Sequence, residues 1–173
     1  MERSQVNSEK HLAVIGAGSM GGAILRGGLD AAVLRPDQVI VCDTQPSVLD
    51  EWAARGCATT TDASEAAGAA DHLLLAVKPQ AFGPVAEAIR AGLRASVCCS
   101  VMAGLPTDLI EQALRPGLAV VRAMPNTPCL VGSGMTALAG GRHADASSVQ
   151  AMRRVFEAVG AVVELEESRF NAV

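Results

Sequence analysis

The chain has 173 residues, half of them hydrophobic, with a formal net charge of −4 and an isoelectric point near 5.3. That length suits one domain with a sizeable core. The acidic balance, one Trp, no Tyr and three Phe argue against nucleic-acid or anionic-membrane binding, and no apolar run approaches the roughly 18 residues of a membrane span.

Residues 1–10, MERSQVNSEK, are polar and mixed in charge, and read as a flexible leader rather than a signal peptide. Residues 11–16, HLAVIG, read as a buried strand, followed by a small-residue helix over 19–29. The next strand is expected at 38–43 and the next helix at 46–55, where Pro46 suits the first helical turn. A weaker strand near 57–60 and strands at 72–77, 95–102 and 118–124 follow, with helices at 82–93 and 107–114 between them. A strand at 135–139 and a helix over 145–159, with Val149, Met152, Val155 and Val159 on one face, lead to a last strand, AVVEL. Apolar strands alternating with helices call for a mostly parallel sheet covered on both faces. The expected architecture is a Rossmann-like, doubly wound α/β domain.

The turn GAGSMG places Gly16, Gly18 and Gly21 at the spacing G-x-G-x-x-G after the first strand, with Ala17, Ser19 and Met20 between them. Gly16 makes the tight turn, Gly18 lets a pyrophosphate approach the backbone, and Gly21 lets helix and strand pack closely. The phosphates would sit at the helix N-terminus. Asp43 follows Gly21 by 22 residues, at the end of the second strand, and Thr44 and Gln45 bring no cation. A carboxylate there accepts hydrogen bonds from ribose hydroxyls and repels a 2′-phosphate, which favours NAD over NADP.

Ligands of open α/β sheets bind outside the carboxyl ends of the strands. Ala76, Val77, Lys78 and Pro79 end one strand, and Ala103 and Gly104 follow the next; small residues there leave room for a nicotinamide ring. Beyond them lies VVRAMPNTPCLVGSGM, from Val120 to Met135. Pro125 and Pro128 stiffen this loop, displaying the Asn126 amide and the Thr127 hydroxyl. Five cysteines, an odd number without a Cys-x-x-Cys motif, indicate free thiols in a reducing cytoplasm. His11, His72 and His143 are scattered, so no metal site is expected.

Together IGAGSMGGAI, LLAVKPQ, SVMAGL and VVRAMPNTPCLVGSGMTAL resemble pyrroline-5-carboxylate reductase. The resemblance implies an enzyme of proline biosynthesis that is homo-oligomeric at full length, with the oligomeric state of these residues alone left open. It would move a hydride from NAD(H) or NADP(H) to the C=N carbon of Δ1-pyrroline-5-carboxylate. It implies that Gly16, Ser19, Met20, Asp43, Ala76, Lys78 and Pro79 line the cofactor site. Arg122, Met124, Pro125, Asn126 and Thr127 would lie on the nicotinamide and substrate side. Three departures stand out. Asp43-Thr44 replaces the Asn-Arg pair of many NADP-using members, and Ala63 stands where an Asn is usual. The family's helical second domain, opening with Ser-Gly-Ser-Gly-Pro-Ala, would follow the closing ESRFNAV.

On that resemblance, residues 11–165 form the cofactor domain and 166–173 begin a linker. These residues alone are not expected to turn over, and an apolar patch is expected where the helices would pack. The alternatives are a related imine or β-hydroxyacid reductase, and an NAD(P)-binding module without turnover.

Overall fold

The computed structural model describes residues 10–172. In chain order they give β1 (Lys10–Ile15), α1 (Ser19–Asp30), β2 (Val39–Cys42), α2 (Pro46–Ala54) and β3 (Ala58–Thr60). Next come α3 (Ala63–Ala69), β4 (Ala70–Leu75), α4 (Phe82–Ile89), β5 (Val97–Ser100) and α5 (Thr107–Leu114). The chain continues through β6 (Ala119–Pro125), β7 (Gly134–Gly140), α6 (Ala146–Glu157) and β8 (Gly160–Glu164). Residues 1–9 of the expected leader lie outside the described part, and Lys10 already belongs to β1.

All eight strands join one sheet in the order β3-β2-β1-β4-β5-β6-β7-β8. The first six run parallel. β7 reverses against β6 because a short loop, without a crossover helix, joins them. β8 then pairs parallel to β7 after the α6 crossover. The sheet is thus the mostly parallel, doubly wound one the sequence calls for.

Alternate residues of each strand feed two cores. Val14, Val41, Leu74 and Val121 pack with Ile24 and Leu25 of α1, Trp52 of α2 and Phe156 of α6. Ile15, Ile40, Leu75 and Val120 pack on the other face with Ala66 of α3, Ile89 of α4 and Ile110 of α5. Two buried faces per strand explain the unbroken apolar runs. Among the described residues no helix is long and apolar enough to cross a membrane.

Trp52 is fully buried. The Arg26 and Arg55 guanidinium carbons lie 5.6 and 5.8 Å from its ring centroid, and its indole N–H finds no acceptor among the described residues. The two arginines are held in turn by Glu51 and Asp30.

Element ends differ from the sequence expectation for local reasons. β1 stops at Ile15 because Gly16 turns with φ +90. α3 was not expected. Its N-cap is Asp62, whose Oδ1 accepts from the Ser64 amide at 2.8 Å, and the Asp-x-x-Glu pattern ending at Glu65 is a capping signal.

At the start of β8, Gly160 has φ +151 and lies against the backbone of Gly134. On the outer strands, Ala137 and Ala139 form a third, small apolar cluster with Phe170, flanked by Met124 and Leu165. Met135 and Val163 on these strands stay 50% and 39% exposed.

α6 starts on a cap that carries its own test. Asp145 Oδ1 accepts from the Ser148 amide at 2.8 Å, the Ser148 hydroxyl at 2.7 Å and the Ser147 hydroxyl at 2.8 Å. These bonds, the Ser148 hydroxyl foremost, lower the carboxyl pKa from 3.8 to about 2. A depressed folded pKa gives stability that is present above the ordinary value and lost as pH falls through the folded one. Asp145→Ala is therefore expected to melt a few degrees below the native chain at neutral pH. In melts recorded at successive pH values, the gap should close between 3.8 and about 2; a gap independent of pH would remove the carboxylate from the account.

Candidate functional site

The carboxyl ends of β1, β2, β4, β5 and β6 open onto one edge of the sheet. The glycine turn lies at its centre. The Gly16 amide donates to the Cys42 carbonyl and the Ala76 amide to the Ile15 carbonyl, both at 2.9 Å. A Cβ on Gly16 would lie 2.8 Å from the Ala76 carbonyl oxygen. One on Gly21 would overlap the Gly16 carbonyl oxygen and lie 2.9 Å from the Ala76 Cβ. Gly18 differs: a Cβ there would meet no atom of the described residues within 4 Å.

Gly18 is also the N-cap of the 12-residue α1, which has no side-chain cap and no acidic residue in its first turn. The amide end of the helix thus faces open space through a backbone without side chain, which fits an anion brought close to the chain. Ser19 is exposed and Met20 half-buried beside it.

Asp43 reaches back to this turn. Its Oδ2 accepts from the Ala17 amide at 2.9 Å, and its Oδ1 from the Gln45 amide at 3.0 Å. Its hydrogen-bond partners are backbone amides, with no cation among them. The carboxylate therefore fixes the glycine turn from the tip of β2. Burial first, and then the Asp43 carboxylate, push the neighbouring Cys42 thiol up to about 11. Burial alone pushes Cys98 up to about 12, so both stay protonated.

Ala76 and Val77 are half-buried and wall the glycine turn, while Lys78 is exposed. Pro79 holds Lys78 extended, with φ −65 and ψ 142. Ala103 and Gly104 are exposed after β5; Gly104 turns with φ +74, and a Cβ on it would meet nothing within 4 Å.

After β6 the chain folds into a tight helical turn, Thr127–Val131, ended by Gly132 at φ 70, and rests on α1. Asn126 and Thr127 are exposed as expected. The Asn126 side-chain oxygen, however, accepts from the Met135 amide at 2.9 Å. Asn126 thus closes its own loop through its side-chain oxygen.

Arg122 and Met124 sit differently from the displayed groups around them. Arg122 pairs in register with Ser100 and is 5% exposed. Its Nη1 lies 3.2 Å from Glu167 Oε1, and its guanidinium carbon is 5.0 Å from the Phe170 ring centroid. Met124 packs against the Phe170 cluster. Sequence reasoning missed Glu167 and Phe170, which reach the site from a tight turn at Glu167–Ala172; no local motif announces a contact across 45 residues.

A doubly wound sheet with open space over the first glycine turn is the arrangement of a dinucleotide-binding domain. The chain belongs to the family described as NADP oxidoreductase, coenzyme F420-dependent, whose model matches residues 11–104. It is 38% identical to a pyrroline-5-carboxylate reductase of Corynebacterium melassecola over 94% of this chain and 62% of that protein. It is 34% identical to one from Methanosarcina acetivorans over 92% of this chain and 60% of that protein. A solved pyrroline-5-carboxylate reductase from Coxiella burnetii superposes with a TM-score of 0.87 at 31% identity, covering 94% of this chain and 61% of the other. Within its family the chain is thus similar, over nearly all of its own length, to part of the pyrroline-5-carboxylate reductases. It spans about three fifths of the length of the relatives it matches.

Proposed function

We propose that this chain is the cofactor-binding half of a reductase that converts Δ1-pyrroline-5-carboxylate to L-proline. When bound, NADH or NADPH would supply the hydride. The observation that carries the reading is the unobstructed Gly18 at the amide end of α1, and kinship with the named reductases supports the substrate. The first-turn amides hold the diphosphate, and Ala76, Val77, Lys78 and Pro79 wall the ribose side. Ala103 and Gly104 leave the nicotinamide ring space, and Pro125, Asn126 and Thr127 border it. A cyclic imine is easily protonated and is then a good hydride acceptor, so the protein's share is mainly orientation.

The test is Δ1-pyrroline-5-carboxylate-dependent oxidation of NADH, with NADPH in parallel, by the purified 173-residue chain, beside calorimetric titration of both dinucleotides. Binding without turnover by a folded chain fits a cofactor-binding half. Turnover means that the substrate site is completed within the chain or by self-association. Failure to bind either dinucleotide rejects the reading.

Asp43 supports a preference for NAD, since its charge opposes a 2′-phosphate and its partners are amides. Asp43→Asn should raise affinity for NADPH relative to NADH by about tenfold, the effect of removing one charge a few ångströms from a phosphate. The ratio is the quantity to read, because absolute affinities also register the altered bond to Ala17. An unmoved ratio would take cofactor choice away from Asp43.

A further inference from the structure

Glu167 joins two elements that lie far apart in sequence. Its Oε1 accepts from the Thr107 amide at 2.9 Å and from Arg122 Nη1 at 3.2 Å, while its Oε2 accepts from the Thr107 hydroxyl at 2.7 Å. One carboxylate therefore caps the N-terminus of α5 and neutralises an arginine that is 5% exposed. Phe170, three residues on, covers the same guanidinium.

Both elements belong to the edge that would face the nicotinamide. Thr107 ends the loop carrying Ala103 and Gly104, and Arg122 lies on β6 just before Met124 and Asn126. Ala103 and Gly104 themselves have little hold: both are exposed, and no described atom lies within 4 Å of a Cβ on Gly104. Leu105 packs half-buried on the core; the polar ties of the segment are at its ends, at Met102, whose amide donates to the Ser100 hydroxyl at 3.2 Å, and at Thr107 on Glu167. None of the bonds of Glu167 reaches Gly16–Gly21 or Asp43, where the adenosine and diphosphate would sit.

We infer that Glu167 is a positioning residue for the nicotinamide end of the dinucleotide site, clamping the 103–106 loop to β6. Removing its carboxylate frees the loop end and leaves Arg122 buried without its counter-charge, a state the chain relieves by moving the arginine or the strand. The adenosine end has no part in that change. The inference rests on the dinucleotide-binding reading above.

The experiment compares NADH with ADP-ribose, which lacks the nicotinamide ring, by calorimetric titration of the 173-residue chain and its Glu167→Ala variant. NADH should weaken by about tenfold, equal to about 1.4 kcal/mol, while ADP-ribose holds within about twofold. Glu167→Gln keeps an oxygen for Thr107 but loses the charge, and should shift NADH by roughly threefold in the same selective way. Equal weakening of both ligands would reduce Glu167 to scaffolding, and an unmoved NADH constant would remove it from the site; either overturns the inference. If Glu167→Ala does not stay folded, Glu167→Gln carries the test, and an unshifted ratio there overturns it. A native chain that binds neither ligand overturns the dinucleotide reading itself and this inference with it, a result distinct from a ratio that fails to move.

Discussion

Replacing Gly18 with alanine is expected to keep the melting temperature within about 2 °C of the native chain and to weaken NADH binding by about 100-fold, the equivalent of about 2.7 kcal/mol. The two halves of that result have separate causes. Gly18 has a negative φ of −68, outside the left-handed region that favours glycine, and its added methyl would meet no atom of the described residues within 4 Å. The fold therefore has nothing to lose. The same methyl occupies the space through which a diphosphate must approach the first-turn amides. Calorimetric titration and a thermal melt of one preparation read both halves. Native-like NADH affinity in a folded Gly18→Ala chain would refute the cradle.

Gly160→Ala should do the reverse and strike stability. With φ +151, an L-residue is strained at this position, and a Cβ would overlap the Gly134 carbonyl oxygen and lie 2.6 Å from the Gly134 nitrogen. Both neighbours are backbone, so no side chain can swing aside; β7 and β8 must separate where they begin to pair. Strain and overpacking together are expected to cost about 4 kcal/mol, a fall of roughly 10 °C in melting temperature for a domain of this size. Scanning calorimetry checks it, and a melt within about 2 °C of the native chain would show that the strands yield without loss. Because Glu167 follows β8 in sequence, the same variant should also lose selectivity for the nicotinamide end.

The sheet was largely legible because its strands are buried on both faces and carry unbroken apolar runs such as Leu73–Leu75 and Val97–Cys99. The glycine turn was legible because its three demands are local and each falls on a fixed position. α3 escaped because Ala63–Ala69 is short and made mostly of small residues, with no periodicity to see; its Asp62-Glu65 capping pattern was the readable trace. The end of β1 was read one residue late because Gly16 looks apolar until its φ is known.

The site divides in the same way. Gly16, Gly18, Gly21 and Asp43 occupy positions set by one strand–helix–strand unit, so spacing alone brings them together. Arg122 reads as a cation beside a loop, yet its environment is decided by Glu167 and Phe170, 45 and 48 residues on. Asn126 reads as a displayed amide, yet its oxygen closes the loop onto Met135. These outcomes depend on how β7 and β8 return along the sheet, and no short pattern encodes that return.

Trp52 gives the protein an optical reporter without any label. It is the single indole of a chain that has no tyrosine. It is fully buried, and its Cζ2 lies 3.5 Å from where a Cβ on Gly22 would stand, directly behind the glycine turn. Near-ultraviolet emission therefore comes from one solvent-excluded donor. That emission overlaps the absorption of a reduced nicotinamide, so filling the cleft with NADH should appear as energy transfer from Trp52, read in real time on the unmodified chain.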